Sequence, residues 1–175
     1  MKRIIVSFFL ISILISCSDS EDENENSITS KIDINLVTGI DVRPDEFSSV
    51  IRLGNPNTFE DQTLVFPNPP IDFLSIKTFN GSDISSVWVI DGLQEKIYKN
   101  LNFDSVLNSE LYAIHEIENA ASLEFSDNQS SNLLINLENL EDGYYRVFIE
   151  VNGTIEWHNI YKGEVDIQNF IDSWN

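Results

Sequence analysis

Apolar and polar residues alternate along much of the chain with a period of two, the spacing of strands that bury one face. Ile32-Asp33-Ile34-Asn35-Leu36 alternates in this way, and Val50-Ile51-Arg52-Leu53 is a second short apolar piece. Gly39, Pro44, Gly54 and Pro56 punctuate this stretch, which predicts one or two strands joined by loops. The pattern sharpens from Thr63. Val65-Phe66-Pro67-Asn68-Pro69-Pro70 is a rigid, turn-forming entry to a strand over residues 71–79, in which Leu74 and Ile76 share a face. Asn80-Gly81 turns the chain into Val87-Trp88-Val89-Ile90, which stops at Asp91-Gly92. Leu133-Leu134-Ile135-Asn136-Leu137 is a further strand after a polar loop at residues 126–132. Two apolar-rich runs, 143–151 and 154–162, flank Asn152-Gly153. That pair tolerates the positive φ of a type I′ turn, so a two-residue hairpin is predicted.

One segment breaks the period. Leu107, Leu111, Ile114 and Ala121 recur at three-, four- and seven-residue steps within residues 103–121. This predicts a short helix with Asp104 placed to cap its start.

The beginning of the chain follows neither pattern. Met1-Lys2-Arg3 precedes an apolar run from Ile4 to Ile15 with nothing more polar than Ser7 and Ser12. A basic head and about a dozen apolar residues describe a secretory signal. The run falls short of the roughly 20 residues a membrane-spanning helix needs. Leu14-Ile15-Ser16-Cys17 then resembles the lipobox of bacterial lipoproteins: aliphatic, tolerant, small, cysteine. The resemblance implies cleavage after Ser16 and a diacylglycerol and N-acyl lipid on Cys17. Cys17 is the only cysteine, so no internal disulfide forms. Two or three acyl chains hold a protein stably, at about 0.8 kcal/mol for each buried methylene.

Ser18-Asp19-Ser20-Glu21-Asp22-Glu23-Asn24-Glu25-Asn26 follows without one apolar residue and cannot offset chain entropy by burial. Residues 17–30 therefore read as the lipidated cysteine and an acidic, disordered tether with a reach of about 20 Å. Acids so close behind the cysteine resemble the signal that sends lipoproteins of Bacteroidota to the outer face of the outer membrane. The location this implies is the cell surface, with the periplasmic face as the alternative. The chain carries a net charge of −19, and loss of Lys2 and Arg3 with residues 1–16 makes it −21. Such a charge disfavours nucleic acid and anionic lipid surfaces.

Residues 31–175 remain as a single domain of ordinary size. Leu64-Val65-Phe66-Pro67-Asn68-Pro69, the Leu74/Ile76 and Val87/Val89 strands, and Leu137-Glu138-Asn139-Leu140-Glu141-Asp142-Gly143-Tyr144-Tyr145-Arg146-Val147 stand in the order of a known family. Together they resemble the C-terminal sorting domain of type IX secretion. The match covers residues 63–162, with residues 101–131 as an insertion. It implies an immunoglobulin-like antiparallel β-sandwich, here mainly β with a short inserted helix.

Chemistry is thinly signalled. His115 and His158 belong to no metal-ligand spacing, no serine stands in a nucleophile elbow, and no glycine-rich phosphate loop occurs. Neither a metal nor a cofactor is expected beyond the lipid, and the chain is not expected to be an enzyme. The hairpin is more suggestive. Its register places Tyr144, Arg146, Phe148, Trp157, Asn159 and Tyr161 on one side, while Tyr145, Val147, Ile149, Val151 and Ile160 line the other. If the Tyr145 side is the sandwich core, the first side faces outward and offers an aromatic surface to a protein or glycan. If the insertion or residues 28–60 fold over it, it is a second core. The expected function is a lipid-anchored binding or accessory module. A relative of the sorting domain that engages the secretion apparatus, and a small extracytoplasmic hydrolase, are the alternatives.

Overall fold

The computed structural model describes residues 32–96 and 100–174; the signal segment, Cys17 and the acidic tether lie outside them. The elements run β1 (Leu36–Val37), β2 (Gly39–Val42), β3 (Ile51–Gly54), β4 (Thr63–Phe66), β5 (Phe73–Thr78), β6 (Ile84–Asp91), β7 (Leu93–Gln94), α1 (Ile114–Ala120), β8 (Leu123–Phe125), β9 (Asn132–Asn136), β10 (Gly143–Val151), β11 (Thr154–Lys162) and α2 (Ile167–Asp172). The protein is mainly β, with antiparallel sheets and two short helices.

Two sheets form the sandwich, one ordered β4-β5-β9 and the other β11-β10-β6-β8. Their inner faces meet in a core of alternating strand residues: Leu74 and Ile76 from β5, Val87 and Val89 from β6, and Tyr145, Val147, Ile149 and Val151 from β10. The hairpin forms as the Asn-Gly pair predicts. Asn152 and Gly153 take φ of 54° and 75°, and Tyr144 faces Tyr161, Arg146 faces Asn159, and Phe148 faces Trp157.

The larger sheet is buried on its other face as well. Trp88, Ile90, Phe148, Ile155 and Trp157 pack there against Tyr112 and Ile117 of the inserted segment, with Ile34 and Phe59 alongside. Farther along, Tyr144 and Tyr161 pack with Val37, Ile40, Phe170 and Trp174. Strands β2 and β3 and the C-terminal α2 complete this outer layer. Of the two alternatives for the Tyr144 side of the hairpin, an outward aromatic surface or a second core, the second is the one observed. The two covering segments both contribute, and the C-terminal tail joins them.

Three local expectations need correction. The alternating run at 32–36 is strand only from Leu36; Leu36 N–H donates to Asp33 O across a turn. The helix expected over 103–121 is confined to Ile114–Ala120, and Asp104 does not cap it. Asn108 Oδ1 accepts from Glu110 N–H, an Asx turn that stops a helix from forming across it, and Ala113 stands at the N-terminus with its N–H bonded to Glu116. The apolar spacing is nevertheless used: Leu107 and Leu111 pack on the second core as turn residues. The C-terminal helix was not expected, although Asp166 caps it by accepting from Asn169 N–H.

Candidate functional site

The six hairpin residues singled out by sequence come together, but as an interior. Arg146, Phe148, Trp157 and Asn159 are at most 1% exposed, while Tyr144 and Tyr161 are half-buried. Arg146 Nη1 donates to Ile34 O at 2.9 Å and the Tyr112 hydroxyl at 3.0 Å, and Nη2 donates to Asn57 O at 3.1 Å. The rings of Tyr112, Phe148 and Trp157 surround the guanidinium at 5.3–5.5 Å from its carbon. Burial pushes the Arg146 pKa below its usual value, and the Tyr112 hydroxyl acts in the opposite sense. Around it, Trp157 Nε1 donates to Asn57 O, and Asn159 Nδ2 donates to Asn57 Oδ1 and Gly39 O. This polar cluster fastens residues 34–57 and the insertion to the hairpin.

Tyr144 and Tyr161 form an edge-on pair, 4.9 Å between centroids, under Phe170 and Trp174. Burial and the neighbouring Tyr161 push the Tyr144 hydroxyl up to about 12.

Sequence reasoning missed a second cluster. Glu156 is fully buried and accepts from Gln62 N–H, Thr63 N–H and the Thr63 hydroxyl at 2.6 Å. Thr63 Oγ1 lies 2.9 Å from His158 Nε2, and His158 Nδ1 lies 2.9 Å from Glu60 Oε2. Acceptors stand at both ends of this chain, with the Thr63 hydroxyl and the His158 ring between them. Hydroxyl, imidazole and carboxylate are connected as in a hydrolase triad. Thr63 is only 2% exposed, however, and its proton is committed to Glu156, so this hydroxyl is not presented to a substrate. The cluster instead closes the sandwich between β4 and β11. The hairpin register carried the signal: Glu156 and His158 share the inward side with Ile160, where an unpaired charge would be costly.

Burial pushes the Glu60 carboxyl up, but the hydrogen bond and charge of His158, with Arg52 and Arg43 farther off, leave it below the ordinary glutamate value. A depressed folded-state pKa stabilises the fold above the unfolded value, and this stabilisation is lost as pH falls through the folded value. Urea unfolding followed from pH 7 to pH 3 should therefore show wild type losing stability relative to Glu60→Gln in the acid range. An unchanged difference between the two across that range would contradict the assignment.

Two surface features remain. On the outer face of the three-stranded sheet, Phe73 is 49% and Leu134 64% exposed. Phe73 faces Asn136 and Ser75 faces Leu134, so the two apolar side chains are diagonal neighbours on one face. Asp72 and Glu138, both exposed, lie beside them. The second feature is an open cleft of about 340 Å³ between β3, residues 56–60 and the inserted segment. Among the described residues no group of three or more His, Cys, Asp or Glu is placed to hold a metal ion, and no helix is long and apolar enough to cross a membrane.

No protein-family model, no curated protein and no solved structure matches the chain.

Proposed function

We propose that the protein is a lipid-anchored module of the outer membrane, displayed at the cell surface, that works by binding a partner or serving as an accessory subunit rather than by catalysis. Leu14-Ile15-Ser16-Cys17 and the acid-rich tether support the anchor and the display. The observation that carries the binding reading is the outer face of the three-stranded sheet. Phe73 and Leu134 stand half-exposed side by side there, with acids at their border. A partner with an apolar centre and a basic rim complements that face.

The sandwich is read as immunoglobulin-like. Strand order β4-β5-β9 against β11-β10-β6-β8 supports this, as does the Tyr145 hydroxyl, which donates to Glu141 O four residues upstream like a tyrosine corner. The same observations favour kinship with the sorting domain as a second reading. Asn68 of the Pro-Asn-Pro motif is buried and donates to Asp41 O and Asn159 O, so that motif also serves the fold.

The test uses Phe73→Ser with Leu134→Ser. Both side chains are largely solvated, so the midpoint of unfolding should move by no more than a degree or two, within the about ±0.5 kcal/mol of surface substitutions. A photo-crosslinker at Leu134 in cells that make the protein should trap a discrete partner, and Phe73→Ser should abolish the product. A crosslinking pattern at Leu134 no different from that at Glu124, exposed on β8 of the other sheet, would refute a contact role for this face.

A further inference from the structure

The cleft beside β3 is assembled from parts of the chain distant in sequence. Pro56 and Phe59 form one wall, and Phe103 and Leu107 of the inserted segment form the other. Phe103 is 5% exposed and packs beneath with Ile32 and Leu36, which makes that wall part of the framework. Phe59 is braced from behind by Trp157, ring centroids 5.3 Å apart. About 340 Å³ is within the size range of small-ligand sites.

The polar residues that line it are Arg52, Thr58, Glu60 and Asp104. The one cation among them is already engaged: Arg52 Nε and Nη2 donate to the two carboxylate oxygens of Asp41 at 2.9 and 2.8 Å. His158 stands behind Glu60, and Glu156 behind His158 through Thr63. Counting Asp41, Glu60, Asp104 and Glu156 against Arg43 and Arg52, acids exceed bases by two. The surrounding molecule is itself strongly anionic.

We propose that this cleft binds an alkylammonium group, its hydrocarbon stem lying between Phe59, Phe103 and Leu107 and its charged head at the Glu60 and Asp104 side of the mouth. A cation near an aromatic face and a carboxylate gains from both, while its methylenes cover the apolar walls. A free amine and a lysine side chain of a polypeptide share this chemistry. The proposal rests on the reading of the domain as a binding module and gives that module a ligand class at a surface separate from the outer sheet face.

The test is a titration of the full mature chain, in non-ionic detergent and amine-free buffer, followed by backbone amide NMR shifts. n-Butylammonium should shift cleft amides saturably, and n-butanol at the same concentrations should not. Asp104 is exposed, so Asp104→Asn should leave unfolding unchanged while weakening n-butylammonium by about threefold, the scale of one exposed charge pair. Asp104→Lys should abolish the shifts. A blocked lysine that binds as well as n-butylammonium, against a blocked norleucine that does not, identifies a polypeptide source; binding of the free amine alone identifies a small molecule. Equal binding of butanol, no saturable shift at the cleft, or full affinity in Asp104→Lys would overturn the proposal. These reagents do not test Phe73 and Leu134, so failure here leaves the sheet-face reading standing, and failure of crosslinking there leaves this one.

Discussion

Arg146→Ala should lower the unfolding free energy by about 3–5 kcal/mol and the melting midpoint by roughly 10 °C. The substitution empties a space walled by Tyr112, Phe148 and Trp157, and takes from Ile34 O the donor that Arg146 supplies. Buried acceptors stripped of a partner cost about 1–3 kcal/mol each, and the cavity adds to that. Arg146→Met restores the volume but not the donors, so its loss should fall between wild type and alanine. Arg146→Lys should help little, because a single ammonium lacks the fork that serves Ile34 and Asn57 from two nitrogens. Urea unfolding of the three variants reads this directly. An Arg146→Ala midpoint within a degree or two of wild type would mean that the outer layer is not fastened through this residue.

That expectation inverts what the hairpin alone suggests. The register of residues 143–162 was legible because Asn152-Gly153 permits only one short turn, and alternation then assigns every side chain to a face. Which face is buried was not legible. Alternation along β10 gives Tyr145, Val147 and Ile149 on one side and Tyr144, Arg146 and Phe148 on the other, and both sets are apolar enough to pack. The deciding interactions are between residues far apart in the chain: Asn57 with Trp157 and Asn159, and Tyr112 with Arg146. No local period encodes such pairs. A buried arginine among aromatics looks, in sequence, the same as an exposed one in a contact patch.

The inserted segment shows the same division. Its apolar spacing marked Leu107 and Leu111, which are partly buried against the second core, but also Ile114, which is exposed, and it did not reveal that turns rather than a helix would present the two leucines. Asn108 was the readable clue, since its side chain competes for the backbone a helix would use. The hairpin register also implies an inward side for Glu156 and His158, which was not drawn from the sequence, and their partners Glu60 and Thr63 lie some ninety residues away in a stretch read only as loop and strand entry. The cleft joins residues 52–60 to residues 103–107, and no motif spans them. Phe73 and Leu134 belong to strands that were expected, but their shared face emerges only once β5 and β9 are paired.

The proposed function places a three-layer domain at the end of an acidic tether, so its address depends on Cys17 rather than on any surface of the fold. Cys17→Ser removes the thiol that receives the diacylglycerol and leaves residues 32–174 untouched. Two or three acyl chains hold a protein on a bilayer, whereas none gives a strongly anionic domain a reason to stay. The decisive measurement is growth with labelled palmitate, followed by fractionation of wild type and Cys17→Ser. Labelled wild-type protein is expected in the membrane fraction, cleaved before Cys17, and unlabelled Cys17→Ser protein in the soluble fraction. Wild type without label, or Cys17→Ser recovered in the membrane as fully as wild type, would contradict it.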